Sequence, residues 1–266
     1  MKNLLLLISL LFVNSFMLAQ NTTKGKVEYT MVLNMGKQKI NNASLVFDKN
    51  ESFFFWNYKI QKDSTSIDEK TDDENNMNLK IKFNKAIYTD SIGVFNYKNF
   101  KQRDLINRVF LSKKLYYIKE AVPVINWEIK EETKKIANFE CQKAITRFRG
   151  RSYTAWFTNK IPISDGPWKF HGLPGLILEV TDATNEIAFF FKSLEIPTKA
   201  KTPNIDFPNL NYITLDAFKK DRDLYVNSLF NAKKTEKKFK SKLPRNVSVD
   251  VQVDRKIKYI ELDTEN

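Results

Sequence analysis

Ile161-Pro-Ile-Ser-Asp-Gly-Pro-Trp-Lys-Phe-His-Gly-Leu-Pro-Gly-Leu-Ile-Leu-Glu179 gathers much of the chain's backbone punctuation into one place. Of seven glycines, Gly166, Gly172 and Gly175 fall within ten residues, and Pro162, Pro167 and Pro174 are three of the eight prolines. Glycine supplies positive φ and proline holds φ at about −65°, so this backbone is bent at prescribed points. Leu173-Pro174-Gly175-Leu176 carries Pro second and Gly third, the pattern of a type II turn with positive φ at Gly175. Leu176-Ile177-Leu178-Glu179-Val180 then reads as a buried strand. A rigid loop is expected to drop straight into the core.

On its N-terminal side, Phe139 to Thr158 reads as a β-hairpin around Arg149-Gly150-Arg151. With those three residues as the loop, Phe139, Cys141, Ile145, Tyr153, Ala155 and Phe157 share an apolar face, which buries Cys141. On the C-terminal side, Glu186–Ile196 holds Phe189-Phe190-Phe191 and forms another strand. Thr214 caps a helix from Leu215 to about Phe230, with Phe218, Leu224, Tyr225 and Leu229 as its apolar stripe. Lys233–Lys242 reads as a solvated, lysine-rich linker, and Val247, Val249, Val251 and Val253 alternate as a late strand.

Towards the N-terminus, Lys26–Leu33 alternates with Val27, Tyr29, Met31 and Leu33 on one side. Ala43–Phe47 and Ser52–Tyr58 follow as strands, and Lys62–Asn78 is almost wholly polar and reads as a structureless insertion. Further strands are expected near Leu79–Phe83, Ala86–Thr89, Gly93–Tyr97, Arg108–Leu111, Leu115–Ala121 and Asn126–Ile129. Short, regularly spaced strands argue for a mainly β fold: a curved antiparallel meander sheet or open barrel with one packed C-terminal helix. The expected division is an export signal over 1–19, a β-rich domain over 20–231, and a linker with a terminal strand or tail over 232–266.

The export signal rests on Lys2, the apolar run Leu4–Val13 and the small residue Ala19, which together form a secretory pattern cleaved before Gln20. The run is shorter than the ~20 residues a bilayer requires, and no cysteine follows it to carry a lipid anchor. The expected location is the periplasm. The formal charge of +13 suits an anionic envelope surface or a protein partner better than nucleic acid in an exported chain, although solubility alone explains it equally well. Cys141 and His171 are the only residues of their kinds, so no internal disulfide forms and no multi-ligand zinc site of the usual kind can be built.

Cys141-Gln-Lys-Ala144, Phe148-Arg-Gly-Arg151 and Tyr153-Thr-Ala-Trp-Phe157, followed by Pro162 through Gly166-Pro-Trp-Lys-Phe170 to Leu178, resemble the GLPGLI family of exported proteins from outer-membrane bacteria. The family is named for the run Gly172-Leu173-Pro174-Gly175-Leu176-Ile177, which with Cys141, Gly166 and Pro167 forms its structural motif here. Asn138-Phe139 departs from the Gly-aromatic pair that the pattern carries before the cysteine. The resemblance implies an exported β-rich protein and nothing catalytic. The first expectation for function is a non-enzymatic periplasmic binding or accessory protein without a cofactor, working with the outer membrane beside a transporter.

Several residues within this region could carry chemistry. Cys141 and His171 are the ingredients of a thiolate nucleophile for a hydrolase or thiol-dependent enzyme, against which stands the expected burial of the thiol. Arg149 and Arg151, with Arg147, cluster at the hairpin tip, where they would grip an anion or simply solvate the turn. Trp156, Trp168, Phe170 and His171 are candidate contacts for a ligand or partner. The aromatic load would line a cavity for an apolar small ligand or fill the core. Asp165, Asp182 and Glu179 are candidate carboxylates for acid/base work, although Asp165 reads as a turn residue and Glu179 as paired or wet. A structural protein with no small ligand is the remaining reading.

Overall fold

The computed structural model describes residues 24–35, 38–56, 66–73, 76–82, 90, 92–111, 114–240 and 247–252. The expected export segment, the strand at Ala86–Thr89, Tyr58 and Val253 lie outside them. The described residues run through β1 (Gly25–Leu33), β2 (Lys39–Phe47), β3 (Glu51–Trp56), β4 (Ser66–Asp73), β5 (Asn76–Lys82), β6 (Val94–Asn99), β7 (Asp104–Leu111), β8 (Lys114–Ala121), β9 (Glu128–Ile136), β10 (Phe139–Phe148), β11 (Arg151–Thr158), β12 (Leu176–Asp182) and β13 (Ile187–Glu195). The short β14 (Tyr212–Ile213), helix α1 (Leu215–Lys240) and β15 (Val247–Gln252) complete the described chain. Among the described residues no helix is long and apolar enough to cross a membrane.

Twelve strands make one sheet in the order β14-β8-β7-β6-β3-β2-β1-β13-β12-β11-β10-β9. Its pairs are antiparallel except β14 beside β8, so the fold is the expected meander, built in two halves that meet where β1 pairs with β13. Consecutive strands β8 and β9 stand ten places apart in that order. In a flat sheet they would be roughly 48 Å apart at ~4.8 Å per strand. The link between them, residues 122–127, reaches only about 25 Å when fully extended. The sheet must therefore curl until its ends approach. It stays open, because β8 and β9 do not pair.

Curling creates an interior. The alternation of β1 points Val27, Tyr29, Met31 and Leu33 into it, where they join Leu45, Phe54, Phe157, Leu178 and Phe189. The opposite face is also covered over part of its width: Phe53, Phe95, Tyr97 and Ile106 are buried beneath Ile205, Phe207 and Tyr212. A third cluster sets Phe218 of α1 against Leu111, Tyr116 and Ile118.

The helix begins as expected, with the Ala217 N–H donating to Thr214 Oγ1 at 3.2 Å. It does not end near Phe230. Helix formers Lys, Glu and Ala, with no Gly or Pro before Lys240, carry it through most of the segment read as a linker. Leu224 is 60% exposed, whereas Leu215 joins Phe218 and Tyr225 in the packed stripe; the Leu229 side chain lies outside the described residues.

The polar segment after β3 also departs from expectation. β4 and β5 form a hairpin, and β15 adds in parallel to make a separate three-stranded sheet. Its register sets Ile67 against Ile81 and Asp68 against Lys80, while Val249 and Val251 align with Leu79 and Ile81. Cross-strand pairs of this kind are what stabilise a sheet. β4 taken alone shows little apolar period, and the strand that completes its sheet lies far along the chain.

At the β10–β11 hairpin the loop is Arg149-Gly150 alone, with φ of 51° and 74°, because Phe148 already pairs with Arg151. Positive φ at both positions fits a type I′ turn, which matches strand twist. Arg151 is thus a strand residue rather than part of the tip. Cys141, Tyr153, Ala155 and Phe157 are buried as expected, but Ile145 is not on that face. A register shift between Gln142 and Ala144 changes the phase of β10, and Ala144, Thr146 and Phe148 point inward in its place.

Candidate functional site

The Gly/Pro loop leaves β11 at Thr158 and returns at Leu176, whose N–H donates to Ile161 O at 3.0 Å. Within it the Asp165 N–H donates to Ile163 O at 2.8 Å, and Asp165 O accepts from Ile177 N at 2.9 Å. Asp165 and His171 form an isolated antiparallel bridge. The loop is therefore a small folded unit laid across the interior. Trp168, at φ 53°, and Phe170 enter the core, and the Phe170 ring meets Trp127, Phe148, Tyr153, Trp168 and Phe189.

Gly175 does not have positive φ, so the type II turn is not formed; Gly172, at φ +96°, is the glycine with positive φ in the loop. Gly175 is required for another reason. A Cβ there would stand 2.2 Å from Thr158 O, where the two ends of the loop pass each other.

A buried lysine ties this loop to β6. Lys98 of β6 is fully buried and pairs with Asp165, itself 1% exposed. Its Nζ also donates to Gly166 O at 3.0 Å and Phe170 O at 3.2 Å, so all three ammonium donors are used. Burial lowers the Lys98 pKa, and Asp165 opposes the shift. Asp165 Oδ1 also accepts from Gly166 N at 2.8 Å. A second tie runs from the buried Lys169 to Glu120 of β8 at 2.5 Å, and Arg149 of the hairpin turn pairs with the same carboxylate. Glu120 thus links the two approaching ends of the sheet, while the Trp127 indole N–H donates to His171 O at 2.8 Å.

The remaining candidates are dispersed. Arg151 is buried and pairs with Asp182 and Glu186, each at 2.9 Å. Burial alone would raise the Asp182 pKa, but hydrogen bonds from Thr184 and Ile187 and the Arg151 charge hold it below the usual value. Trp156 lies half-buried on the other face of β11, with Lys134 4.6 Å from its ring centroid and paired with Glu179. Cys141 is fully buried, and burial pushes its pKa up to about 11, with Glu179 contributing. Its thiol is directed at Phe139 O, 3.6 Å away. Such a thiol is inert. Thiol reagents are expected to label Cys141 only as the protein unfolds, and Cys141→Ser should cost about 1–3 kcal/mol; rapid labelling of native protein would contradict this.

His171 is half-buried beside the tie. Burial lowers its pKa to about 4, reinforced by the Lys98 charge and opposed by Asp165 and by a hydrogen bond to the Pro123 carbonyl. The folded protein therefore carries neutral His171, whereas the unfolded chain binds a proton below about pH 6.5. The sign follows: stability is lost as pH falls from 6.5 towards 4, by up to about 3 kcal/mol. Denaturant titrations of wild type and His171→Ala should coincide near pH 8 and diverge at pH 4.5, where only the wild type carries this loss. Equal acid losses in both would place the effect elsewhere.

Sequence reasoning missed Lys98, Glu120 and Lys169, and it offered Asp182 for acid/base work where the structure pairs it with Arg151. Lys98 alternates with the apolar Phe95 and Tyr97, which ordinarily marks a wet face; here both faces of β6 are covered. The described residues contain no group of three or more His, Cys, Asp or Glu side chains able to hold a metal.

Residues 149–179 match a family model described as a protein of unknown function (Porph_ging). That span includes both Arg149 and the whole run Gly172–Ile177. Curated protein sequences returned no match. Structures of PNGF-II in P21 and C2 space groups are similar at 16% identity, with TM-scores of 0.50 and 0.49, over 74% of this chain. The chain spans about a third, 32%, of their length, and the likeness concerns the fold. A DUF1329 family protein from Desulfovibrio piger aligns at 7% identity over 68% of this chain and 89% of its own, with a TM-score of 0.22.

Proposed function

We propose that the chain is an exported, non-enzymatic binding or accessory protein of the GLPGLI type, working from the periplasm beside the outer membrane. In this reading the Gly/Pro loop is an internal tie that holds a curled, open sheet in shape. The observation that supports it most directly is the Lys98 ammonium, whose three bonds all go to the loop. The chemically competent groups nearby serve structure: Asp165 holds Lys98, Arg151 is matched by two carboxylates, and Cys141 is a buried thiol. The Cys141 thiol is directed at Phe139 O rather than at His171, which weighs against a thiol-dependent enzyme. The aromatic rings at 168 and 170 pack against one another, which favours a filled core over a cavity for an apolar ligand. The partner is then met on the exterior, either an outer-membrane transporter or, through the +13 formal charge, an anionic envelope surface.

Fractionation of the native host tests the reading. The chain should be recovered from the periplasm beginning at Gln20, and should retain its partner when Cys141→Ser and His171→Ala are introduced. Recovery with Met1–Ala19 intact in the membrane pellet would defeat export. Loss of a measurable hydrolytic activity in either variant would defeat the non-enzymatic reading.

A further inference from the structure

Lys98 defines the sheet face that the Gly/Pro loop covers, and two other polar residues share it. Ser52 of β3 is the cross-strand partner of Lys98, and Asn96 precedes Lys98 by two residues on β6. Exposure is 1% for Ser52, 0% for Asn96 and 1% for Asp165. The Lys98 donors and Asp165 Oδ1 are satisfied within the tie. Ser52 Oγ, both polar atoms of the Asn96 amide and Asp165 Oδ2 have no hydrogen-bond partner among the described residues. Proteins bury few such atoms without an occupant that satisfies them. Here they fall on neighbouring positions of one face and on the loop residue tied to it.

We propose that Ser52, Asn96 and Asp165 form an internal binding site for a hydroxyl-bearing molecule, water in the first instance, between β3–β6 and the Gly/Pro loop. The group to be matched is set by the atoms. Asp165 Oδ2 and Asn96 Oδ1 accept, Asn96 Nδ2 donates, and the Ser52 hydroxyl does either. Water, with two hydrogens to donate and two lone pairs to accept, can meet donors and acceptors alike, as can two neighbouring hydroxyls of a polyol. The charges of Lys98 and Asp165 already match each other, so the site favours a neutral guest: a cation would meet Lys98 and an anion would meet Asp165. An apolar guest would leave every one of these atoms unsatisfied. Bound there, the hydroxyl extends the tie from one lysine to the adjoining strand, because it bridges loop and sheet. A small polyol carries the same group as water.

Water-selective NOE and ROE spectra of the 15N-labelled full-length chain test the site, read at the Asn96 side-chain amide. Long-lived water cross-peaks at that amide are expected, and Ser52→Ala should weaken or abolish them while the rest of the spectrum is retained. Native mass spectrometry separates the sources: a retained hydroxylic compound in place of the water signal upholds the site with a polyol as guest. An Asn96 amide with no water cross-peak, in protein that retains no compound, would overturn the proposal. If Ser52→Ala folds poorly, Ser52→Cys gives the same reading, since a thiol is a weak hydrogen-bonding group of similar shape.

Discussion

Lys98→Met is expected to destabilise the protein by about 3–5 kcal/mol, the cost of breaking a buried ion pair by removing one partner. Methionine keeps the length and apolar character of the lysine stem, so the packing of β6 is largely preserved. The loss is electrostatic. Asp165 would remain 1% exposed with only the Gly166 N–H donating to its carboxylate, and the carbonyls of Gly166 and Phe170 would each lose a donor. A double substitution separates this from a general packing effect. Lys98→Met with Asp165→Asn removes both charges, and buried pairs replaced by neutral groups are often tolerated. The double variant should therefore recover much of the loss, giving a clear coupling energy in the cycle. Midpoints of urea unfolding report it. A single-variant loss below about 1 kcal/mol, the range of exposed pairs, would mean that Lys98 is not the loop's anchor.

Local period explains which parts of this fold were legible in the sequence. Val27, Tyr29, Met31 and Leu33 alternate, and the run Leu176–Val180 is bounded by turn residues, so both strands could be placed from their own residues. Burial of Cys141 also followed from its neighbours, although the two-residue turn and the irregularity near Gln142 moved Ile145 to the other face. Contacts between distant segments left no such trace. Lys98 and Asp165 are separated by 67 residues, and Glu120 and Lys169 by 49. Each lysine alone reads as a solvated charge, because burial of a cation becomes tolerable only when its carboxylate arrives from elsewhere. The parallel pairing of β15 with β5 was hidden for the same reason. Arg151 looked like a tip residue until the turn closed one residue earlier and set it against Asp182 and Glu186.

Gly175→Val is expected to cost about 3 kcal/mol or more, beyond the usual range for overpacking, and Gly175→Ala and Gly175→Asn should be nearly as damaging. The motif suggests otherwise, since a glycine needed for positive φ is best replaced by asparagine. At this position the obstacle is the Cβ itself. It would meet Thr158 O at 2.2 Å, Thr158 C at 2.7 Å and Asn159 N at 3.0 Å, all backbone atoms that cannot rotate away. Relief requires the neck of the loop to open, which stretches the Leu176 N–H to Ile161 O bond and pulls on the start of β12. Gly172 provides the contrast. Its φ is +96°, and a Cβ there would meet Trp127 at 3.8 Å, an ordinary contact. Replacement at Gly172 should therefore cost conformational energy of about 1–2 kcal/mol, with asparagine tolerated better than valine. Thermal unfolding of the two series tests the distinction: side-chain type should matter at Gly172 and hardly at all at Gly175. A mild Gly175→Asn beside a severe Gly175→Val would restore the turn explanation and remove the close crossing of Thr158 and Gly175 as the reason for the glycine.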